Sequence, residues 1–130
     1  TRKGEEAKGK DLGSLYLGGG TPSLLSEVHL GKILKAIYQY NSFLEDSEWT
    51  MECNPDDLDT TTLKKLRKFG FNRLSIGIQS FHEEDLVLLN RNHGKKQSLD
   101  CLENARNAGF SNMNIDLIYG IPGSTARKWR

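Results

Sequence analysis

The 130-residue chain reads as an α/β protein built on a mostly parallel sheet. Three observations predict this. Short apolar runs alternate with helical patterns in the order β-α-β-α-β-α-α-β, which calls for right-handed crossovers between parallel strands. Two of the helical patterns stop at a glycine, Gly70 and Gly109, and a Phe and then a strand follow each. The segment Arg67-Lys68-Phe69-Gly70-Phe71 with Ile76 matches Arg106-Asn107-Ala108-Gly109-Phe110 with Ile115 at a constant offset of 39, so one αβ unit is used twice.

Taken in order, residues 1–12 are polar and charged and read as a solvated lead-in to a domain over 13–130. Leu15-Tyr16-Leu17 is a buried strand running into the tight loop Gly18-Gly19-Gly20-Thr21-Pro22. Ser26 caps a helix with apolar positions Leu30, Ile33, Leu34 and Ile37 at helical spacing. Trp49, Met51 and Cys53 alternate with polar residues, as in a strand, until Asn54-Pro55 stops it. Asp59 or Thr60 caps the next helix, which carries Leu63, Leu66 and Phe69 and closes on Gly70. Leu74, Ile76 and Ile78 form the third strand. A short helix with Leu86 and Leu89 follows, then a longer one presenting Leu99, Leu102, Ala105 and Ala108. The fourth strand runs from Met113 to Ile118 and breaks at Tyr119-Gly120-Ile121-Pro122-Gly123. Trp129 and its basic neighbours follow a loop rather than a finished helix, so the chain reads as a piece of a larger domain.

Composition narrows the classes. Leu, Ile, Val and Phe make up about a quarter of the residues, above the roughly 20% below which chains stay disordered. The longest apolar run is Leu86–Leu89, far short of a membrane span. The basic N-terminus lacks the apolar stretch of a signal peptide. Eighteen basic against seventeen acidic residues, with no basic stripe, argue against nucleic acid as a partner. Cys53 and Cys101 have neither metal-ligand spacing nor a disulfide framework, which fits a reducing cytoplasm.

In parallel α/β proteins ligands bind at the C-terminal ends of the strands. Here those four ends carry the glycine loop with Thr21, then Glu52, then Gln79-Ser80, then Asp116. The loop is not a Walker A sequence, nor G-x-G-x-x-G, since Ser23 stands where the last glycine belongs. Glycines there let backbone groups approach a small polar ligand, and Glu52 can hold its amino or hydroxyl group. Gln79 can hydrogen-bond a ribose. Asp116, an acid inside an apolar strand, must be paired or functional. Arg91 is an exposed loop arginine able to reach a carboxylate. His29, His82 and His93 share no ligating spacing, and both cysteines read as small buried residues.

Five segments together carry a resemblance: Tyr16–Ser23 (YLGGGTPS), Glu52–Pro55 (ECNP), Asn72–Phe81 (NRLSIGIQSF), Leu89–His93 (LNRNH) and Asn114–Pro122 (NIDLIYGIP). The chain resembles radical S-adenosylmethionine (SAM) enzymes of the oxygen-independent coproporphyrinogen III oxidase and heme-chaperone group, from about Leu15 to Trp129. The resemblance implies a partial (β/α)₆ barrel of which this chain supplies about four strands, the second to the fifth. It implies that Gly19, Gly20 and Thr21 bind the methionyl end of SAM, and that Glu52, Gln79, Arg91 and Asp116 are the other polar SAM-contacting positions. The family's C-x₃-C-x₂-C motif, which holds a [4Fe–4S] cluster that cleaves SAM to a 5′-deoxyadenosyl radical, does not occur in this sequence. Cys53 and Cys101 cannot replace it, so no metal ligand is expected in this chain, and the cluster would belong to a longer parent protein. Gln79-Ser80-Phe81 and Asn54-Pro55-Asp56-Asp57 resemble the chaperone branch (HemW) more than the oxidases.

Heme or coproporphyrinogen III is the partner this resemblance implies for the parent, besides SAM and an electron donor of unknown identity. The competing readings are the oxidase itself, a non-catalytic α/β binding module, and a generic phosphate-binding domain.

Overall fold

The computed structural model describes residues 9–129. Four strands, β1 (Asp11–Leu17), β2 (Ser42–Cys53), β3 (Arg73–Gln79) and β4 (Asn112–Leu117), form one sheet in chain order, and every neighbouring pair is parallel. Between them lie α1 (Glu27–Tyr38), α2 (Thr60–Lys68), and the pair α3 (Glu83–Leu88) and α4 (Lys95–Asn107). β1 begins at Asp11, two residues inside the stretch read as lead-in; residues 1–8 of that stretch lie outside the described residues.

The helices begin where side chains can absorb unpaired backbone donors. Ser26 Oγ accepts from the His29 N–H at 3.3 Å, and Asp59 accepts from the Thr62 N–H at 2.6 Å. The N–H and hydroxyl of Thr62 hold the Asp59 carboxyl below its ordinary range. The 39-residue repeat is a repeat of structure. Gly70 (φ 93°) and Gly109 (φ 89°) take the left-handed backbone just past α2 and α4. The Phe71 and Phe110 N–H groups then bond Leu66 and Ala105 carbonyls at 3.1 and 3.0 Å, the closed helix end that a left-handed residue permits. Both phenylalanines are fully buried.

Alternate residues of the strands face opposite ways. One set, including Met51, Leu74, Ile76 and Ile78, packs against Leu30 and Leu34 of α1, Leu63 and Leu66 of α2, and Cys101 and Ala105 of α4. The other set is polar. Arg73 reaches Thr50 Oγ1 at 3.3 Å and Glu48 at 3.7 Å, Tyr16 reaches Glu52, and Ser75 reaches Asp116. Of these polar residues Thr50 and Ser75 are buried, whereas Tyr16, Glu48 and Asp116 are exposed.

One expectation shifts. α4 buries Ser98, Cys101 and Ala105, whereas Leu99 is 49% exposed. Small side chains let this helix sit close, and Ser98 satisfies its hydroxyl on the Gly94 carbonyl one turn back, at 3.1 Å. β4 lies at the edge of the described sheet, and Asp116, expected to be paired or functional, is exposed there and paired at both oxygens, with Ser75 and Asn114.

Candidate functional site

A cavity of about 200 Å³ opens at the C-terminal ends of the strands. Gly20 and Thr21 line it from the loop after β1, Glu52 to Asn54 from the end of β2, Ser75, Gly77 and Gln79 from β3, and Asp116 from β4. Five of the residues singled out in sequence therefore meet in one place: Gly20, Thr21, Glu52, Gln79 and Asp116.

Both carboxylates are held at both oxygens. Tyr16 donates its phenol O–H to Glu52 Oε1 at 2.7 Å, and the Gly19 N–H donates to Oε2 at 2.8 Å. These two donors, Tyr16 first, keep the Glu52 carboxyl below its usual range, and the same bond raises the Tyr16 phenol. Gly19 thus acts on the cavity through Glu52. A Cβ on Gly18 would stand 2.7 Å from the Glu52 Cδ, so only glycine leaves that carboxylate its place. Across the cavity, Asp116 accepts from Ser75 Oγ at 3.2 Å and from Asn114 Nδ2 at 2.7 Å. Among the described residues no lysine, arginine or histidine lines the cavity. Two fixed carboxylates on its wall suit a cationic ligand carrying hydrogen-bond donors.

Gln79 ends β3 with φ 70°, and β3 holds one more residue than β4 between the Ile76–Ile115 and Gln79–Leu117 pairs. Such a bulge re-aims the side chain beside it. The Gln79 amide folds back over Gly77, where an added Cβ would meet Nε2 at 2.7 Å. Arg91 does not line the cavity. Its Nη2 donates to Asn54 Oδ1 at 2.6 Å and to the Gly77 carbonyl at 3.2 Å, and would stand 3.7 Å from a Cβ on Gly77, so its charge sits beside the cavity wall.

Tyr16, Ser75, Asn54 and Asn114 stand in segments singled out in sequence but were given no role at the site. The signal for Ser75 was present, because Arg73, Ser75, Gly77 and Gln79 are the alternate residues of a strand whose others are Leu74, Ile76 and Ile78. The cysteines are in the core. Burial pushes the Cys53 thiol up to about 12 and the Cys101 thiol up to about 11, opposite to what thiolate ligation of iron needs. Among the described residues no group of three His, Cys, Asp or Glu side chains could hold a metal ion.

The Radical SAM superfamily matches residues 2–130. The chain is 42% identical over 118 residues to the heme chaperone HemW of Bacillus subtilis, covering 90% of this chain and 31% of that protein. It is 38% identical over 117 residues to the oxygen-independent coproporphyrinogen III oxidase of Escherichia coli, covering 90% of this chain and 26% of the relative. The solved structure of that bacterium's coproporphyrinogen III oxidase, HemN, described as a radical SAM enzyme, superposes with a TM-score of 0.86 at 34% identity, over 98% of this chain and 30% of that one. The chain therefore spans less than a third of the length of these relatives.

Proposed function

The chain belongs to the radical SAM superfamily, and from that premise we propose that its cavity binds SAM within a larger protein of heme metabolism. The observation that carries this is the pair of doubly held carboxylates, Glu52 and Asp116, in a cavity that no described lysine, arginine or histidine lines. SAM brings an ammonium, a sulfonium and ribose hydroxyls, each of which a fixed carboxylate favours. A nucleotide phosphate would meet two like charges on the wall, Glu52 and Asp116, which counts against a generic phosphate-binding domain. Glu52 receives a cationic or donor group, Gly20 and Thr21 close over it, and Gln79 and Asp116 supply the opposite wall. Residues 13–130 serve as the central part of the radical SAM core.

In this reading the [4Fe–4S] cluster is held outside this chain, since the two buried cysteines do not fit it. With that cluster reduced, bound SAM is the family's source of a 5′-deoxyadenosyl radical. HemW-like heme chaperoning is the favoured role, supported by 42% and 41% identity to two such chaperones and by the segments Gln79-Ser80-Phe81 and Asn54-Pro55-Asp56-Asp57. The second reading, oxidative decarboxylation of coproporphyrinogen III, is favoured by the superposition on HemN. No described helix is long and apolar enough to cross a membrane, and the cytoplasm is the compartment this reading assigns.

The test uses the full-length protein, prepared without oxygen and reconstituted with iron and sulfide. SAM binding is measured against ATP binding, and 5′-deoxyadenosine release is followed with heme, with coproporphyrinogen III, and with neither. SAM binding with stable heme capture and no decarboxylation is expected. Decarboxylated porphyrin would make the parent an oxidase. ATP binding better than SAM would overturn the cavity reading altogether.

A further inference from the structure

Among the described residues only Gln79 and Asn90 take a positive φ without being glycine. Asn90 has a local reason. It stands just past α3, where Asn tolerates the left-handed region, and the Arg91 N–H closes the helix end on the Leu86 carbonyl at 2.9 Å. Gln79 has none: it is a long side chain ending a strand. Its neighbours close a three-residue turn, Ser80 N–H to Ile78 carbonyl at 2.9 Å. With a positive φ at the centre, this is the rare, strained form of the γ-turn. Strained backbone persists only where the surroundings over-determine it.

Here they do. The Ile78 carbonyl accepts a second bond from His93 Nε2 at 3.0 Å. The Gln79 carbonyl accepts from the Ile118 N–H at 2.9 Å. Ser80 Oγ donates to Asp85 Oδ2 at 2.9 Å and accepts from the His82 N–H at 3.1 Å. His93 stands out in this group because its side chain is fully buried. A carbonyl only accepts, so the His93 proton is on Nε2. Nδ1 then has no hydrogen-bond partner, the nearest acid, Asp56, being 3.7 Å away. A buried nitrogen left without a partner is a cost that an apolar side chain would avoid. What the position uses is therefore the Nε2 donor.

We propose that His93 is a positioning residue for ligand binding: its bond to the Ile78 carbonyl holds the Gln79 turn, and so keeps the Gln79 carboxamide in the cavity over Gly77. This rests on the reading of that cavity as a SAM site. Gln79 makes no other side-chain demand on His93, so the whole effect should run through the turn.

The experiment measures SAM affinity by equilibrium dialysis, together with thermal midpoint, in the full-length protein. His93→Leu should weaken SAM about tenfold, and His93→Gln, which restores an amide donor, should recover most of the loss. Gln79→Gly removes both the carboxamide and the strain, so adding His93→Leu to it should change affinity no further. Equal loss from His93→Leu in both backgrounds, or no loss in either, would overturn the proposal. Should His93→Leu fail to fold, Ser80→Ala takes its place in the cycle, because it loosens the same turn from the Asp85 side. Glu52→Gln and Asp116→Asn test the cavity itself. If both bind SAM as the unsubstituted protein does, the cavity reading fails and the proposal with it. If both lose SAM while the cycle is additive, only the role of His93 falls.

Discussion

On one face of the sheet, Met51, Leu74, Ile76 and Ile78 are buried beneath α1, α2 and α4. On the other, one residue along in each strand, Glu52, Ser75, Gly77 and Gln79 surround a cavity and spend their polar groups on hydrogen bonds. Parallel sheets are usually apolar on both sides, because helices cover both. Here stability and chemistry are divided between the faces, and a single step along the strand crosses from one to the other. A substitution should therefore harm folding or binding according to its parity, with little mixing.

Neighbours in β3 test that division most severely. Leu74→Ala empties a site with no exposure and should lose about 2–5 kcal/mol in urea unfolding. Ser75→Ala, the next residue, removes a hydroxyl that donates to Asp116 and accepts from Asn114, and should lose about 1 kcal/mol. Similar losses from the two would erase the distinction. On the polar face, Glu52→Gln should cut SAM affinity by about 10–100-fold, the scale of a charge-assisted hydrogen bond. Its unfolding midpoint should barely move, since the carboxylate is outside the core.

Gly18→Ala is the sharper case. Its Cβ would stand 2.7–2.8 Å from the Glu52 carboxyl atoms, the far end of a flexible side chain. The fold can yield at small cost, but the carboxylate must leave its two donors. SAM affinity should fall about tenfold at an unchanged thermal midpoint, and a parallel fall in both would place Gly18 on the structural side. The smallest effect concerns pH. Glu52 has a depressed folded pKa, so the stability it contributes is present above its unfolded value of about 4.3 and is lost as pH falls through the folded one. Tyr16 has a raised pKa, so its contribution holds below about 10 and is lost as pH rises through the folded value. Tyr16→Phe removes the largest cause of the Glu52 shift. The Glu52 carboxyl titration, followed by NMR, should then move up toward an ordinary glutamate. An unmoved midpoint would leave Gly19 as the whole cause.

Much of the apolar face was legible in the sequence because periodicity and end signals report it directly. Ser26, Asp59, Gly70 and Gly109 each act locally, and each stands where its residue type predicts. The first half of β2 was not legible: Ser42 to Asp46 pair or bulge against β1 with mostly exposed side chains, so no apolar alternation marks them. Leu99 looked like a core residue, but Ser98 and Cys101 took the closer packing. The cavity was half legible. Charged or glycine-rich strand ends announce themselves, whereas Tyr16 and Ser75 matter only through cross-strand register, which no single strand contains. The partners of Arg91 were not legible for a related reason: Asn54 and the Gly77 carbonyl belong to two other strand ends.

The strands lie side by side in the order in which they occur along the chain, each parallel to its predecessor. As the polypeptide leaves the ribosome, β2, β3 and β4 each find the preceding strand already synthesised. The sheet can thus grow in one direction, residue 11 toward residue 117, each helix covering the strand before it as the next emerges. By the same logic Asp116 joins the cavity wall after Glu52 and the glycine loop are already in place.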